Sequence, residues 1–464
     1  MTIWNPIIPP GRQKYLAVAD ALERDICDGR LSGGDQLPTH RELADQLGVT
    51  VGTVTRAYAE AERRGLTVGE VGRGTFVRTQ QDGVQLHRWG IGSAADPTAI
   101  DMRHSLPPEL RDIERQAFQS AFEKLLTTAS SDLMRLPGDS AMTRHRDAGA
   151  EWMRRLGLSC DGDELLITCG VQHGLAVSLM TVMEPRDVLL AGEFTYPGLR
   201  SLASMLGIRL RPIALDEEGM IPDAIDRACR TEPRPTALYV VPTIQNPTCG
   251  TLSAARRQTI AEIAEKRDLI VIEDQIHALL PPERLDPIAS LIADRTICLA
   301  SPSKSIGPGL RVGFMKVPAD LRSRLLTGIS STIWTLPPLT SEVFAIWMED
   351  GTADRILAAK RTETAARQAI IDEYVAGLDV RRDPHANHLW LHLPDSWSER
   401  GFVRAAAERG VILPGSETFS IGRNDAHPAV RVSVGMTTRE DLRRGLRILR
   451  DLLEMKETPT LTVI

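Results

Sequence analysis

Four short stretches carry residue types that chemistry needs, and each lies at the end of an apolar run that reads as a strand. Cys169-Gly170-Val171-Gln172 comes after Leu166-Ile167-Thr168, and Gln245-Asn246-Pro247-Thr248 comes after Ala237–Val241. Glu273-Asp274 follows Leu269–Ile272; Ser301-Pro302-Ser303-Lys304 follows Thr296–Ala300, with Gly307, Gly309 and Arg311 just beyond. Taken singly these are a turn glycine, an Asx turn before proline, a surface carboxylate and a loop lysine. At consecutive strand ends of one sheet they describe a site, because open α/β sheets bind ligands outside the carboxyl ends of their strands.

A cofactor held through its carbonyl needs one amine. Only seven of the 55 lysines and arginines are lysines, and Lys304 alone lies in a strand-end, glycine-rich loop. An electron-sink pyridine needs its ring nitrogen kept protonated, which calls for a carboxylate, and Asp274 is the candidate. A phosphate needs oriented donors and a fixed positive charge. The amides of Gly170, Val171 and Gln172 at a helix start, the Ser301 hydroxyl and Arg311 supply them. A flat partner for the ring is Tyr196, in Glu193-Phe194-Thr195-Tyr196-Pro197-Gly198 after the run Val188–Ala191. The set fits pyridoxal 5'-phosphate. No metal is expected, since the six cysteines form no CxxC pair and no His-interleaved ligand spacing.

The elements that must position this site read as α/β from about residue 101. Continuous rather than alternating apolar runs predict strands buried on both faces of a mostly parallel sheet, with helices over Arg144–Leu156 and Val171–Met183. His388–Leu393 and Ala429–Val434 alternate, and Leu442, Leu446, Leu449 and Leu453 mark a terminal helix. We therefore expect a large subdomain over about 140–345 and a smaller α+β subdomain over about 346–464.

In front, residues 12–78 read as a separate helical unit. Tyr15, Val18, Ala19, Leu22 and Ile26 share one helical face, Thr39-His40-Arg41-Glu42 has the form of a capping box, and Gly29, Gly48 and Gly65 are stops. A third helix begins near Thr50 and buries Val54, Ala57, Tyr58 and Ala61. Two short strands, Leu66–Val68 and Thr75–Val77, then flank a glycine-containing turn. This order describes a winged helix-turn-helix. Thr50, Gly52, Thr53 and Arg56 are left pointing out, with Thr50, Thr53 and Arg56 available for base contact and Arg41 for phosphate, and Arg73 sits on the wing tip. Ten basic and ten acidic side chains in this unit balance, so element order rather than charge separates a DNA-binding unit from a protein-protein module. Residues 79–100 lack periodicity and read as a linker.

With 464 residues, 42% hydrophobic and 25% charged, the chain has ample length for several cores, and its net charge of −6 offers no global attraction to nucleic acid. The longest apolar stretch, Leu165–Met183, is interrupted by Thr168, Gln172, His173 and Ser178, too often for a membrane span. Scattered cysteines and an N-terminus without a secretory pattern lead us to expect a cytoplasmic protein.

The rear unit resembles fold-type I aminotransferases of class I. The front unit, with GRLSGGDQLPTHRELADQLGVTVGTVTRAY and GRGTFV, resembles the GntR winged helix, and the combination resembles the MocR/GabR-type subfamily of GntR regulators over nearly all of residues 12–455. The resemblance implies that Lys304 forms the Schiff base with the cofactor, Asp274 pairs with the pyridine nitrogen, Asn246 meets the ring 3' oxygen and Tyr196 stacks. It also implies that Arg431 receives a ligand carboxylate and that the protein is a homodimer. Three departures stand out. Ile276 and His277 occupy the positions where relatives carry a tyrosine, and His277 is a substitute donor. The usual Asn-Pro-Thr-Gly reads Asn246-Pro247-Thr248-Cys249-Gly250, displacing the glycine by one. Val51 stands where recognition helices often carry an arginine.

Two functions follow. One is a transcription regulator whose pyridoxal phosphate domain senses an amino acid or amine and alters how the front units hold double-stranded DNA. The other is a working aminotransferase with an appended nucleic-acid module. Both begin with the same capture of an amine, and they part at proton transfer on the ligand.

Overall fold

The front unit is shaped by its caps. Thr39 and Glu42 form the expected capping box, with Thr39 N donating to Glu42 Oε2 at 2.8 Å and Glu42 N to Thr39 Oγ1 at 3.3 Å. Gly48 ends the same helix in the left-handed conformation, φ 59°, where a side chain would be strained. The elements of this unit in the computed structural model are α1 (Lys14–Cys27), α2 (His40–Leu47), α3 (Val51–Arg63), β1 (Thr67–Glu70) and β2 (Gly74–Val77). The two strands pair antiparallel. The structure describes residues 4, 6, 13–27, 30, 31, 34–63, 66–70, 74–77, 99–128, 139–421 and 428–455; Gly29, Gly65, Arg73 and most of the expected linker lie outside these. The core of the unit gathers Val18, Leu22, Leu43, Val54, Ala57, Tyr58, Ala61 and Val77, together with Trp4, whose Nε1 donates to Asp25 Oδ2 at 2.9 Å.

The chain divides into two units near residue 93. The rear one is built on a seven-stranded sheet. Its strands in sequence are β4 (Leu165–Thr168), β5 (Val188–Gly192), β6 (Arg209–Ile213), β7 (Pro235–Val240), β8 (Ile270–Asp274), β9 (Thr296–Ala300) and β10 (Gly313–Lys316). Their spatial order is β4-β10-β9-β8-β7-β5-β6, with β10 antiparallel to both neighbours and the remaining pairs parallel. β4, β5 and β9 are buried at every residue, which is why their sequences are unbroken apolar runs. Helices cover both faces. Trp152 and Phe344 pack on one side of the sheet, and Leu175, Leu199 and Leu325 on another. No described helix is long and apolar enough to cross a membrane.

The smaller subdomain holds an antiparallel sheet β11-β12-β14 (Val380–Arg382, His388–His392, Ala429–Ser433), the long helix Thr352–Val375 and the terminal helix Arg439–Leu453. It also takes in residues from the beginning of the rear unit. β3 (Ile100–Asp101) pairs in parallel with β13 (Val411–Ile412), and Ile100 and Met102 lie in the small subdomain's core. The expected linker therefore reaches one residue too far, and the small subdomain is not confined to the C-terminal stretch. A two-residue strand carries no periodicity, and its partner lies at the far end of the chain.

Candidate functional site: a cofactor cradle and a DNA-reading face

The ends of β4, β5, β7, β8 and β9 place the predicted residues. Lys304 closes the short turn Pro302–Lys304 after β9, capped by Ser301, whose hydroxyl accepts from Ser303 N at 3.2 Å. The Ser301 proton is committed to Val312 O at 2.6 Å, so this side chain braces the loop from inside. The Lys304 amine donates to Ser105 O at 2.6 Å. Burial, helped by the Arg431 charge and opposed by Asp274, pushes its pKa down to about 8.

Asp274 is the last residue of β8 rather than a residue after it. Alternation along the strand sends the two carboxylates to different neighbourhoods. Glu273 accepts from Ile288 N, Ala289 N and Gln275 Nε2 and acts as structural glue. Asp274 accepts from Tyr239 Oη at 2.8 Å and from Ile276 N at 3.1 Å, and burial raises it to about 6. Tyr239, on β7, is a site residue that sequence reasoning passed over. A hydroxyl in the apolar run Ala237-Leu238-Tyr239-Val240 must find a buried partner, and that was the available signal.

His277 lies where the resemblance put a donor toward the cofactor. Its Nδ1 faces Ile244 O at 2.7 Å, an obligate acceptor, so its proton resides on Nδ1. Burial and the Lys304 charge push its pKa down to about 3, which leaves Nε2 an acceptor. The expected donation from His277 is therefore not available in this arrangement. Asn246 and Arg431, far apart in sequence, meet: Arg431 Nη1 donates to Asn246 Oδ1 at 2.7 Å. That bond occupies Oδ1 and leaves Nδ2 as the amide's donor. Arg431 also donates to Arg103 O and stacks 4.6 Å over the Phe419 ring. Burial pushes its guanidinium down to about 9, still charged at neutral pH.

The phosphate end is built by close approach. Gly170, φ 74°, opens the helix Gly170–Val182, and a Cβ there would lie 3.1 Å from Arg311 Nη2. A Cβ at Gly313 would lie 2.7 Å from Gly170 C, so both glycines are required for the guanidinium to sit at the helix start. Arg311 Nη2 donates to Cys169 O at 3.3 Å. Val171 lies in the first turn, and Gln172 Oε1 is buried without a hydrogen-bond partner among the described residues. Tyr196 precedes the helix Pro197–Met205, its ring folded over Gly198, where a Cβ would fall 2.3 Å away. The donor set fits pyridoxal phosphate: an amine of low pKa, a buried carboxylate, a cradle that only glycine leaves open, and an arginine beside free helix amides.

The Asn-Pro-Thr turn departs from the sequence reading. Cys249, not Gly250, holds the left-handed position at φ 63°. The usual glycine is replaced by Cys249 rather than displaced. Gly250 serves another need, since a Cβ there would meet Glu217 O, Glu218 C and Gly219 N at 3.0 Å.

In the front unit, Arg41, Thr50, Gly52 and Arg56 are exposed and Thr53 is half-buried, whereas Val54 and Tyr58 face the core. Thr50 Oγ1 accepts from Thr53 N at 3.2 Å and lies 2.9 Å from Thr53 Oγ1, so the two threonines cap α3. The Arg56 guanidinium lies 4.2 Å over the Tyr15 ring of α1, which aims it along the exposed face. In a binding titration with the DNA upstream of its own gene, Tyr15→Ala should weaken affinity about threefold through loss of this stacking. Arg56→Ala should cost tenfold or more as a base contact. Equal affinity in Tyr15→Ala would show that the stacking does not position Arg56.

A winged helix joined to a fold-type I domain with a pyridoxal phosphate site is the class that fold and site define. Residues 109–449 match the family model "Aminotransferase class I and II", and residues 14–77 match "Bacterial regulatory proteins, gntR family". The chain is 32% identical over 460 residues to the HTH-type transcriptional regulator YdeF of Bacillus subtilis, covering 97% of each. It is 25% identical over 368 residues to the HTH-type pyridoxine biosynthesis transcriptional regulator PdxR of Corynebacterium glutamicum, covering 78% of each. Among solved structures, the α-aminoadipate aminotransferase LysN of Thermus thermophilus, complexed with N-(5'-phosphopyridoxyl)-L-leucine, matches with a TM-score of 0.69 and 23% identity. That match covers 77% of this chain and 92% of that one. The chain belongs to the class I and II aminotransferase family, with a gntR-family domain in front, the arrangement of MocR-type regulators.

Proposed function

We propose that this protein is a pyridoxal phosphate-dependent transcription regulator that reads an amino acid or amine at Lys304 and alters its hold on an operator in response. The observation that carries this reading is the pairing, in one chain, of an exposed recognition face on α3 with a half-buried lysine, Lys304, whose amine feels the charges of Asp274 and Arg431. When bound, pyridoxal phosphate supplies an aldehyde that captures amines reversibly and a ring that withdraws electrons. The protein does the rest. Gly170, Val171, Gln172 and Arg311 hold the phosphate, with Ser301 bracing the loop, and Tyr196 covers the ring. Asp274, steadied by Tyr239, holds the charge that keeps the ring nitrogen protonated. Asn246 Nδ2 donates to the ring's oxygen while Arg431 fixes its orientation. An incoming carboxylate takes Arg431, whose acceptors include a neutral amide oxygen and a backbone carbonyl, both weaker partners than a carboxylate. Lys304, with its low pKa, takes up and returns the proton that accompanies exchange of amines. Val51, 44% exposed at the start of α3, suits contact with a thymine methyl where an arginine would read guanine. Two copies acting together in the cytoplasm, each contributing one recognition helix, fit a paired operator.

The test is to titrate amino acids and amines into the pyridoxal phosphate-loaded protein while following its visible absorbance and its operator affinity together. The regulator reading expects one ligand to shift the band to a lasting new form and to change affinity at the same concentration. A second reading, aminotransfer, is favoured by 28% identity over 316 residues to the bovine kynurenine/α-aminoadipate aminotransferase. It expects the band to decay and to return on adding a keto acid, with operator affinity unmoved.

A further inference from the structure

The segment that opens the rear unit belongs by its contacts to the small subdomain. Beyond the β3–β13 pairing, Met102 N donates to Ile412 O at 2.8 Å and Ser433 N to Met102 O at 3.0 Å. A Cβ at Gly435 would lie 1.8 Å from Leu106 O, so the segment packs tightly beyond the end of β14 and only glycine permits it. Ser105 sits in this segment, 6% exposed, with its hydroxyl 2.9 Å from His388 Nδ1 on β12. Lys304 belongs to the large subdomain's sheet, and its amine donates to Ser105 O at 2.6 Å. This bond joins the two subdomains through the one side chain that cofactor attachment consumes.

His388 has no evident packing reason to be a histidine. It is 1% exposed, Nε2 makes no well-aligned hydrogen bond among the described residues although the Gln245 backbone lies near the ring, and the His277 ring centroid is 6.0 Å away. A half-satisfied buried imidazole costs stability that an apolar side chain of like size would not. The well-formed bond of this imidazole among the described residues is the one to Ser105.

A lysine nitrogen bonded to an aldehyde carbon carries at most one proton, whereas a free amine or ammonium carries two or three. We propose that Ser105 O is the seat of the Lys304 amine once a ligand has displaced it from the cofactor, and that His388, through the Ser105 hydroxyl, holds that seat against the small subdomain. Release of the lysine then adds a bond between the subdomains. The purpose of this device rests on the regulator reading; its chemistry does not.

The probe is aminooxyacetate on the full-length, pyridoxal phosphate-loaded protein. Its nitrogen bonds the cofactor's aldehyde carbon, the Lys304 nitrogen leaves, and both protons of the attacking nitrogen pass to the leaving one. Loss of the visible band verifies release in each variant. Hydrogen exchange is followed in peptides covering residues 99–108 and 388–392. In the wild type, release should slow exchange there about fivefold, the scale of one added hydrogen bond. Ser105→Ala should lose this slowing, and Ser105→Thr, which keeps a hydroxyl, should restore it. Unchanged exchange in the wild type, or equal slowing in Ser105→Ala, would overturn the proposal. Slowing without any change in operator affinity would support it and count against the regulator reading alone.

Discussion

Lys304→Ala protein should purify without the visible absorbance of a lysine-bound cofactor, and borohydride should fix no pyridoxyl group to the chain. Its operator affinity in the absence of ligand should match the wild type within about twofold, while its response to ligand disappears. The separation is expected because Lys304 lies in the rear unit and the exposed face of α3 in the front one. Attachment should also carry a pH signature. Only the uncharged amine attacks an aldehyde, and a pKa near 8 leaves roughly a tenth of Lys304 uncharged at pH 7, against a few parts in ten thousand for an ordinary lysine. The attachment rate of added pyridoxal phosphate should rise with pH and level off just above 8. A levelling near 10, or a reduced adduct mapped to another of the seven lysines, would show that the assignment is wrong.

Asp274→Asn should lose cofactor affinity and gain stability. An amide cannot balance a protonated ring nitrogen, and breaking a buried ion pair costs about 3–5 kcal/mol, hence a loss of roughly 100-fold or more. Without cofactor the sign reverses. Asp274 has a folded pKa near 6, above the unfolded value near 4, so the native chain holds this proton more tightly than the unfolded one. Its contribution favours folding below about pH 4 and is lost as pH rises to 6, after which a buried charge weakens the fold by roughly 3 kcal/mol. In cofactor-free melts, Asp274→Asn should therefore exceed the wild type at pH 8 and approach it near pH 4. A variant that melts lower at pH 8 would mean that Asp274 is satisfied without the cofactor. Tyr239→Phe removes one donor from the carboxylate and should move the transition to higher pH.

The sequence carried the frame of this molecule because that frame is written in local patterns. Buried parallel strands are apolar runs, the capping box is a four-residue signature, and the strand-end motifs stand beside the strands they follow. What stayed hidden was made by long-range contact. Asn246 and Arg431 fix each other across 185 residues of chain, and no spacing rule links them. Ser105 and His388 have no motif at all until the fold sets them 2.9 Å apart. His277 was legible as a departure, but the direction of its proton depends on Ile244 O, a backbone atom that sequence does not locate. Cys249 misled because glycine was expected to mark the left-handed residue, and here a cysteine takes that conformation.

The pairing of Ile100 with Val411 also sets an order of events during synthesis. Among the described residues, the front unit's core is drawn from Trp4 to Val77, so it can close early. The small subdomain, by contrast, cannot close until β13, β14 and the helix Arg439–Leu453 have left the ribosome, since its first strand has no neighbour before then. Chains are built from the N-terminus at about 5–20 residues per second, so the DNA-reading part stands folded for tens of seconds before the ligand-reading part exists. A nascent or truncated chain would thus carry the winged helix without the pyridoxal phosphate domain, and the last strands to be made are what complete the second.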